Sequence, residues 1–123
     1  MPAVTVVYYR EGVRVPMDEW LAKLPTDARD ACNAHLRLLQ REGFELRRPL
    51  ADLLRDGIHE LRAKRRGIHY RMLYFFHGRQ AIVVSHGFVK QRSRVSESEI
   101  RRAIERMARF KADPMTHGSV AEI

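Results

Sequence analysis

Three sheet-forming segments follow one another with almost no chain between them. They are Ile58–Lys64, Ile68–Phe76 and Ala81–Phe88. Gly67 marks the first connection, and His77-Gly78-Arg79 forms the second. Connections this short join only antiparallel neighbours, because parallel strands need a long crossover. The sequence therefore predicts a three-stranded antiparallel meander, which the chain enters through a turn at Asp56-Gly57.

A strand and two helices are predicted before the meander. Val4–Tyr9 is β-branched and aromatic, which favours a first strand. Apolar residues at helical spacing predict a helix over Met17–Leu24 and a second over Thr26–Glu42, with Thr26 as its cap. The single cysteine, Cys32, falls on the apolar face of the second helix, so we expect it to pack in the core. Leu50–Leu54 is interpreted as a short turn.

A last helix follows the meander. Ser96 and Glu99 have the spacing of a capping box. The predicted apolar face comprises Ile100, Ala103, Ile104, Met107 and Ala108. We expect one domain over residues 1–113 and a short C-terminal tail over 114–123. The element order β-α-α-β-β-β-α predicts an α+β fold, with helices packed on a small, twisted, mainly antiparallel sheet.

Positive charge is concentrated in one part of the chain. The net charge is +8, and no acidic residue occurs from Leu61 to Ser96. That segment carries nine of the 23 basic residues, so the remaining 14 bases nearly balance the 15 acids. Because the segment is also rich in sheet-forming residues, the charge is expected on a folded surface. Such a surface suits a polyanion: nucleic acid, an acidic protein segment or an anionic membrane.

Several classes of protein are disfavoured by the sequence. No apolar run approaches the roughly 20 residues that span a bilayer, and the N-terminus lacks the layout of a secretory signal. We therefore expect a cytoplasmic protein without a membrane partner. The histidines, cysteine and carboxylates lack metal-site spacing, so neither a metal nor another cofactor is expected. Ser85 and His86 are strand neighbours, which should point to opposite faces and not pair.

The remaining chemistry lies in the basic segment. Cleavage of RNA without a metal requires deprotonation of a ribose 2′-hydroxyl, stabilisation of the phosphorane and protonation of the leaving oxygen. Guanidinium, ammonium, imidazole and phenol groups can serve these needs. The candidate residues are Arg62, Lys64, Arg65, Arg66, His69, Tyr70, Arg71, Lys90, Arg92 and Arg94.

Two structural alternatives remain open for these candidates. Arg71 either faces a phosphate or pairs with Glu60 across the hairpin. Alternation along the strand puts Arg71 on the side of His69, with Tyr70 and Tyr74 on the opposite side. The two tyrosines either stack on bases or belong to the core.

The basic segment also carries a family resemblance. It contains L-R-D-G-I-H-E-L-R from Leu54 to Arg62, Y-R-M-L-Y-F-F from Tyr70 to Phe76 and V-V-S-H-G-F-V-K from Val83 to Lys90. In this order, and followed by a Glu- and Ile-containing helix, these strings resemble the phage-derived HigB-like branch of the RelE/ParE toxin superfamily.

The resemblance implies a function and partners. Many proteins of that superfamily are toxins of type II toxin-antitoxin systems that cut messenger RNA on the ribosome, and the HigB-like branch is usually neutralised by a helix-turn-helix, HigA-like antitoxin. Carried over to this chain, it implies that Arg71, Arg62 and Lys90 bind phosphate and stabilise the transition state. Lys90 is the first candidate for proton transfer and His69 the second. Two alternatives stay open: a ParE-like inhibitor of DNA gyrase that cuts nothing, and a degenerate member that only binds antitoxin or nucleic acid.

Overall fold

A computed structural model describes residues 4–123, so residues 1–3 of the predicted domain lie outside the described residues. The chain forms an α+β fold, as the sequence predicts. Its strands are β1 (Thr5–Tyr9), β2 (Ala51–Arg55), β3 (Ile58–Arg65), β4 (Ile68–His77), β5 (Ala81–Val89) and β6 (Gly118–Val120). Its α-helices are α1 (Pro16–Lys23), α2 (Thr26–Glu42), α3 (Glu97–Ala112) and α4 (Pro114–His117). No helix among residues 4–123 is both long and apolar enough to cross a bilayer.

The strands form one six-stranded sheet in the order β2-β3-β4-β5-β1-β6. The predicted meander is confirmed and is one strand longer, because Leu50–Leu54 is not a turn: Ala51–Arg55 pairs antiparallel with β3 as the edge strand β2. β1 pairs in parallel with β5, and β6 pairs antiparallel with β1. Residues 114–123, predicted as a tail, therefore contribute α4 and an edge strand.

Both faces of the sheet are packed, each against different helices. On the first face, Cys32 and Leu36 of α2 join a core with Leu61 and Met72. Cys32 is buried, as predicted, and burial raises the pKa of its thiol to about 12. On the second face, Phe75 and its neighbours pack against α3. The second core includes Tyr9, Ile58, Leu73, Phe75, Val83, Ala103 and Phe110.

α3 covers only part of the second face. Phe75 lies under this helix, with its ring 5.8 Å from that of Phe110. Alternation places Arg71 and His69, four and six residues before Phe75, on the same face, and His69 is exposed. The second face is thus divided into a packed end under α3 and an open end at the start of β4.

Two predicted helix caps are wrong. Ser96 precedes α3 but makes no capping hydrogen bond; its hydroxyl pairs with that of Ser98, and Glu99 turns instead towards His86. Thr26 is the first residue of α2 rather than its cap, and Pro25 precedes the helix. On α3, Ile100 and Ala103 are buried as predicted, whereas Ala108 is exposed and Phe110, which the prediction omitted, is buried.

Gly87 of β5 is required by the packing of α1. A Cβ atom at this position would lie 2.3 Å from Cε3 of Trp20. We expect Gly87→Ala to lower the free energy of unfolding by about 1–3 kcal/mol through overpacking. Denaturant unfolding measures this loss. Adding Trp20→Ala should remove the clash, so the double variant should be more stable than the sum of the single changes implies; strict additivity would contradict the proposed contact.

Candidate functional site

The open end of the second sheet face brings five predicted residues together. In the register of β3 and β4, Arg62 lies opposite Arg71 and Lys64 opposite His69. The backbone N–H of Lys90 donates to the carbonyl of His69 over 2.8 Å, so Lys90, which directly follows β5, lies beside His69. We call this cluster of Arg62, Lys64, His69, Arg71 and Lys90 the basic sheet end.

A buried carboxylate lies inside this cluster. Glu60 is 5% exposed and sits on β3, two residues before Arg62 and on the same face. Its Oε1 accepts a hydrogen bond from Nε of Arg71 at 2.9 Å. Its Oε2 accepts from Nη2 and Nε of Arg62 at 3.0 and 3.3 Å. One carboxylate therefore fixes the two guanidinium groups that face each other across the hairpin.

Arg71 is held more tightly than Arg62. It is 6% exposed, and its Nη1 also donates to the carbonyl of Tyr70 at 3.1 Å. Burial lowers the pKa of Arg71, and the charge of Glu60 acts in the opposite direction. The pairing of Arg71 with Glu60, one of the two alternatives from the sequence, is thus present. Nη2 of Arg71 has no hydrogen-bond partner among residues 4–123. It is also not fully buried, so a ligand can reach it.

The other groups of the basic sheet end lack such partners. Within residues 4–123, neither Lys64 nor Lys90 has a carboxylate within salt-bridge distance. Desolvation lowers the pKa of the His69 imidazole, and the charges of Lys64, Arg71 and Lys90 lower it further. The ring is therefore neutral near pH 7, with a nitrogen able to accept a proton.

Arg92 and Arg94 extend the positive surface beyond β5. Both are exposed, and both line a cavity of about 160 Å³ together with Phe88 and Lys90. They also line a neighbouring cavity of about 590 Å³ that reaches Leu54 of β2. These two cavities form a groove that runs from Lys90 of the basic sheet end along the segment after β5 towards the start of α3.

Three predicted RNA-binding residues lie elsewhere. Arg65 and Arg66 both bond to Asp27 of α2, on the helix side of the first face. Tyr70 is 3% exposed, and its ring meets that of Trp20 edge-on at 6.2 Å. Tyr74 is buried in the same core. Both tyrosines therefore belong to the core, which was one of the two alternatives left open by the sequence.

A buried hydrogen-bond chain that the sequence did not predict joins β5 to α3. A bulge in β5 near Ser85 changes its register with β4, so Ser85 and His86 pair after all: Oγ lies 2.8 Å from Nδ1. Nε2 of His86 lies 3.0 Å from Oε1 of Glu99 on α3. The prediction that the two neighbours cannot pair was wrong because it assumed regular alternation. The signal in the sequence was only the Ser-His dipeptide itself.

The chain Ser85–His86–Glu99 resembles a hydrolase triad in its contacts, but it is placed as a structural link. Ser85 is 0% exposed, so a substrate cannot reach its hydroxyl. Burial lowers the pKa of His86, which keeps the ring neutral although Glu99 opposes this shift. A neutral ring with Nε2–H donating to Glu99 and Nδ1 accepting from Ser85 satisfies every contact. The link fastens α3 to the sheet.

Fold and surface together define a small α+β protein with one open, cationic sheet end. The model of the family described as "Phage derived protein Gp49-like (DUF891)" matches residues 19–108 of the chain. This match covers most of the chain, including the basic sheet end, so the chain belongs to the phage-derived Gp49-like family. Membership is consistent with a toxin-type function. No curated protein matches the chain.

Replacing Arg71 and replacing Lys90 should have different effects on stability, because only Arg71 pairs with the buried Glu60. Arg71→Ala removes one of the two arginines that pair with the buried Glu60, which should cost about 1.5–3 kcal/mol of unfolding free energy. Lys90→Ala removes a side chain that has no carboxylate partner within residues 4–123, so its cost should stay within about 0.5 kcal/mol. Urea unfolding of both variants checks the difference, and equal costs would contradict it.

Protonation of His86 should break its link to Ser85. Because the folded state lowers the pKa of His86, the unfolded chain binds the proton first as the pH falls. The stability contributed by the neutral ring is present above about pH 6.5 and is lost as the pH falls from there to the folded pKa. We expect the stability difference between wild type and His86→Gln to shrink over this window. Unfolding midpoints from pH 8 to pH 5 measure it; parallel curves would refute the link.

Proposed function

We propose that this chain is the toxin of a type II toxin-antitoxin system of the HigB-like kind, and that it is a metal-independent endoribonuclease acting on messenger RNA in translating ribosomes. The observation that carries the proposal is the basic sheet end, where a neutral imidazole and two ammonium groups without a carboxylate partner among residues 4–123 lie beside two fixed guanidinium groups. Such a constellation suits the transfer of a phosphoryl group more than it suits simple protein contact.

The proposed reaction uses the 2′-hydroxyl of the RNA as its nucleophile. A base removes the 2′ proton, and the oxygen attacks the adjacent phosphorus. The bond from phosphorus to the 5′ oxygen breaks, and an acid delivers a proton to that oxygen. The products are a 2′,3′-cyclic phosphate and a 5′-hydroxyl, so no water is consumed in this step. The protein must supply a base, an acid and donors to the phosphorane.

The side chains of the basic sheet end fit these three roles. His69, whose pKa is lowered, is suited to accept the 2′ proton, and the ammonium of Lys90 to donate to the leaving oxygen. Both sequence-based candidates for proton transfer, Lys90 and His69, thus have a role in the proposed reaction. We assign Nη2 of Arg71 to the phosphorane, because it has no acceptor among residues 4–123, whereas each nitrogen of Arg62 donates to a protein acceptor.

Residues around the centre would hold the flanking RNA. Lys64 lies opposite His69 on β3, while Arg92 and Arg94 line the groove beyond β5. Cationic side chains bind phosphates without sequence preference, so these three residues supply affinity rather than specificity. The proposed partners are therefore messenger RNA and the ribosome, which place the protein in the cytoplasm.

The proposed antitoxin is a helix-turn-helix, HigA-like protein. To neutralise the toxin by covering the basic sheet end, it needs an acidic segment that complements the unpaired cations. Fast, salt-dependent association is expected from such a pairing.

Expression without an antitoxin tests the proposal. New 5′ ends should arise within translated messages of cells that express the wild-type chain, and should fall about 10²-fold or more for Lys90→Ala, which loses the proposed acid. Arg101→Ala, which removes an exposed cation from α3, is the matched control and should cut like wild type.

Other outcomes would replace the proposed function. Growth arrest with intact RNA and damaged DNA would identify a ParE-like gyrase inhibitor. A lack of growth arrest would identify a degenerate member that only binds antitoxin or nucleic acid.

A further inference from the structure

Glu60 is out of place on a surface that is proposed to bind phosphate. A carboxylate repels the backbone of RNA, and replacing this residue would make the surface more positive. Yet Glu60 is almost sealed from solvent and receives three hydrogen bonds from two arginines. These contacts indicate that Glu60 binds and orients the two arginines and does not interact with solvent.

The geometry of Arg71 shows what the carboxylate does. Nε of Arg71 donates to Glu60, and Nη1 donates to the carbonyl of Tyr70. Two anchors fix the plane of a guanidinium, which is rigid and presents its donors in a fixed fork. Only Nη2 remains without a protein partner among the described residues. The two anchors thereby leave Nη2 as the nitrogen that is available to a ligand.

Arg62 shares the same carboxylate through its other oxygen. A carboxylate offers two equivalent acceptors, whereas an amide offers one oxygen and one N–H₂ donor. Gln at position 60 would therefore turn a donor towards one of the two guanidinium groups. An acid is required if both arginines are to keep their positions.

We propose that Glu60 is a positioning residue of the RNA-cleaving centre: its buried carboxylate holds Arg71 and Arg62 so that one nitrogen of Arg71 meets the phosphorane. This inference rests on the proposed ribonuclease function. Its unusual consequence is that a negative charge inside an RNA-binding surface is needed for cleavage while it opposes RNA binding.

Asp52 provides a control of matched charge. It lies 3.6 Å from Arg62, but its close partner is Arg48 at 2.8 Å, and its side chain is 23% exposed. Among residues 4–123 the acidic contact of Arg71 is with Glu60 alone. Asp52→Asn and Glu60→Gln each remove one negative charge from the same hairpin, and only the second disturbs Arg71.

The test measures binding and cleavage separately. Affinity is measured with a fluorescent single-stranded 2′-O-methyl RNA, which lacks the nucleophile and stays intact. Cleavage is measured as initial rates on a defined message in a cell-free translation reaction, against message concentration.

Both variants should bind the RNA more tightly than wild type, because each removes a repelling charge. Asp52→Asn should keep the wild-type kcat, whereas Glu60→Gln should lose about 10²-fold in kcat without a rise in KM.

Loss of structure would give a different result. A misfolded variant would weaken both binding and cleavage, whereas a displaced Arg71 affects cleavage alone. Thermal unfolding monitors the fold of each variant. If Glu60→Gln does not fold, Glu60→Asp retains the charge and shortens the side chain by one methylene; it should also lose kcat, because it cannot reach both arginines.

The outcomes separate this inference from the function on which it rests. A folded Glu60→Gln or Glu60→Asp with wild-type kcat, in a reaction where wild type cuts the message, would overturn the positioning role and leave the ribonuclease standing. Failure of the wild-type chain to cut any message would overturn the proposed function and the positioning role with it.

Discussion

The hydrogen-bonded ion cluster of Glu60, Arg62 and Arg71 is the interaction on which the open sheet end depends. It joins β3 to β4 at the edge of the second core, where Glu60 and Arg71 are almost buried and His69 beyond them is exposed. Two guanidinium groups facing each other would repel one another without the carboxylate between them. Because the site is buried, removing Glu60 would leave the guanidinium group of Arg71 without its counterion in a region of low dielectric. The cluster therefore gives the surface a defined geometry that scattered exposed lysines would lack.

The rest of the second face is organised so that this end stays open. Phe75 and Leu73 bury their side chains with α3, so the helix is confined to the far end of β4. The contact between His86 and Glu99 fastens the start of that helix to β5. As a result, the segment after β5 passes beside the basic sheet end and brings Arg92 and Arg94 towards it. Packing at one end of the face thus determines what is accessible at the other.

Local sequence signals predicted the parts of the fold that depend on local physics. Short connections required the antiparallel meander, and the apolar spacing of α2 placed Cys32 in the core. The edge strand β2 was missed because Ala51–Arg55 contains no β-branched or aromatic residue. The edge strand β6 was missed because it pairs with β1, which lies more than a hundred residues earlier in the chain. Strand alternation correctly separated Arg71 from Tyr70, but alternation alone could not say that α1 and α2 cover Tyr70. The pairing of Ser85 with His86 required a bulge, for which the sequence has no marker.

We propose that the basic sheet end cuts RNA through the 2′-hydroxyl of the substrate, without a metal. The measurement that tests this is the chemistry of the new 3′ ends that the purified protein makes on a translated message. The reaction contains the divalent ions that the ribosome needs, and the Lys90→Ala variant controls for nucleases of the extract. We expect 3′ ends that carry a 2′,3′-cyclic phosphate or its ring-opened phosphate, opposite 5′-hydroxyl ends, and we expect the variant to make neither. New 3′-hydroxyl ends opposite 5′-phosphates would contradict it, because they require an attacking water in place of the ribose hydroxyl.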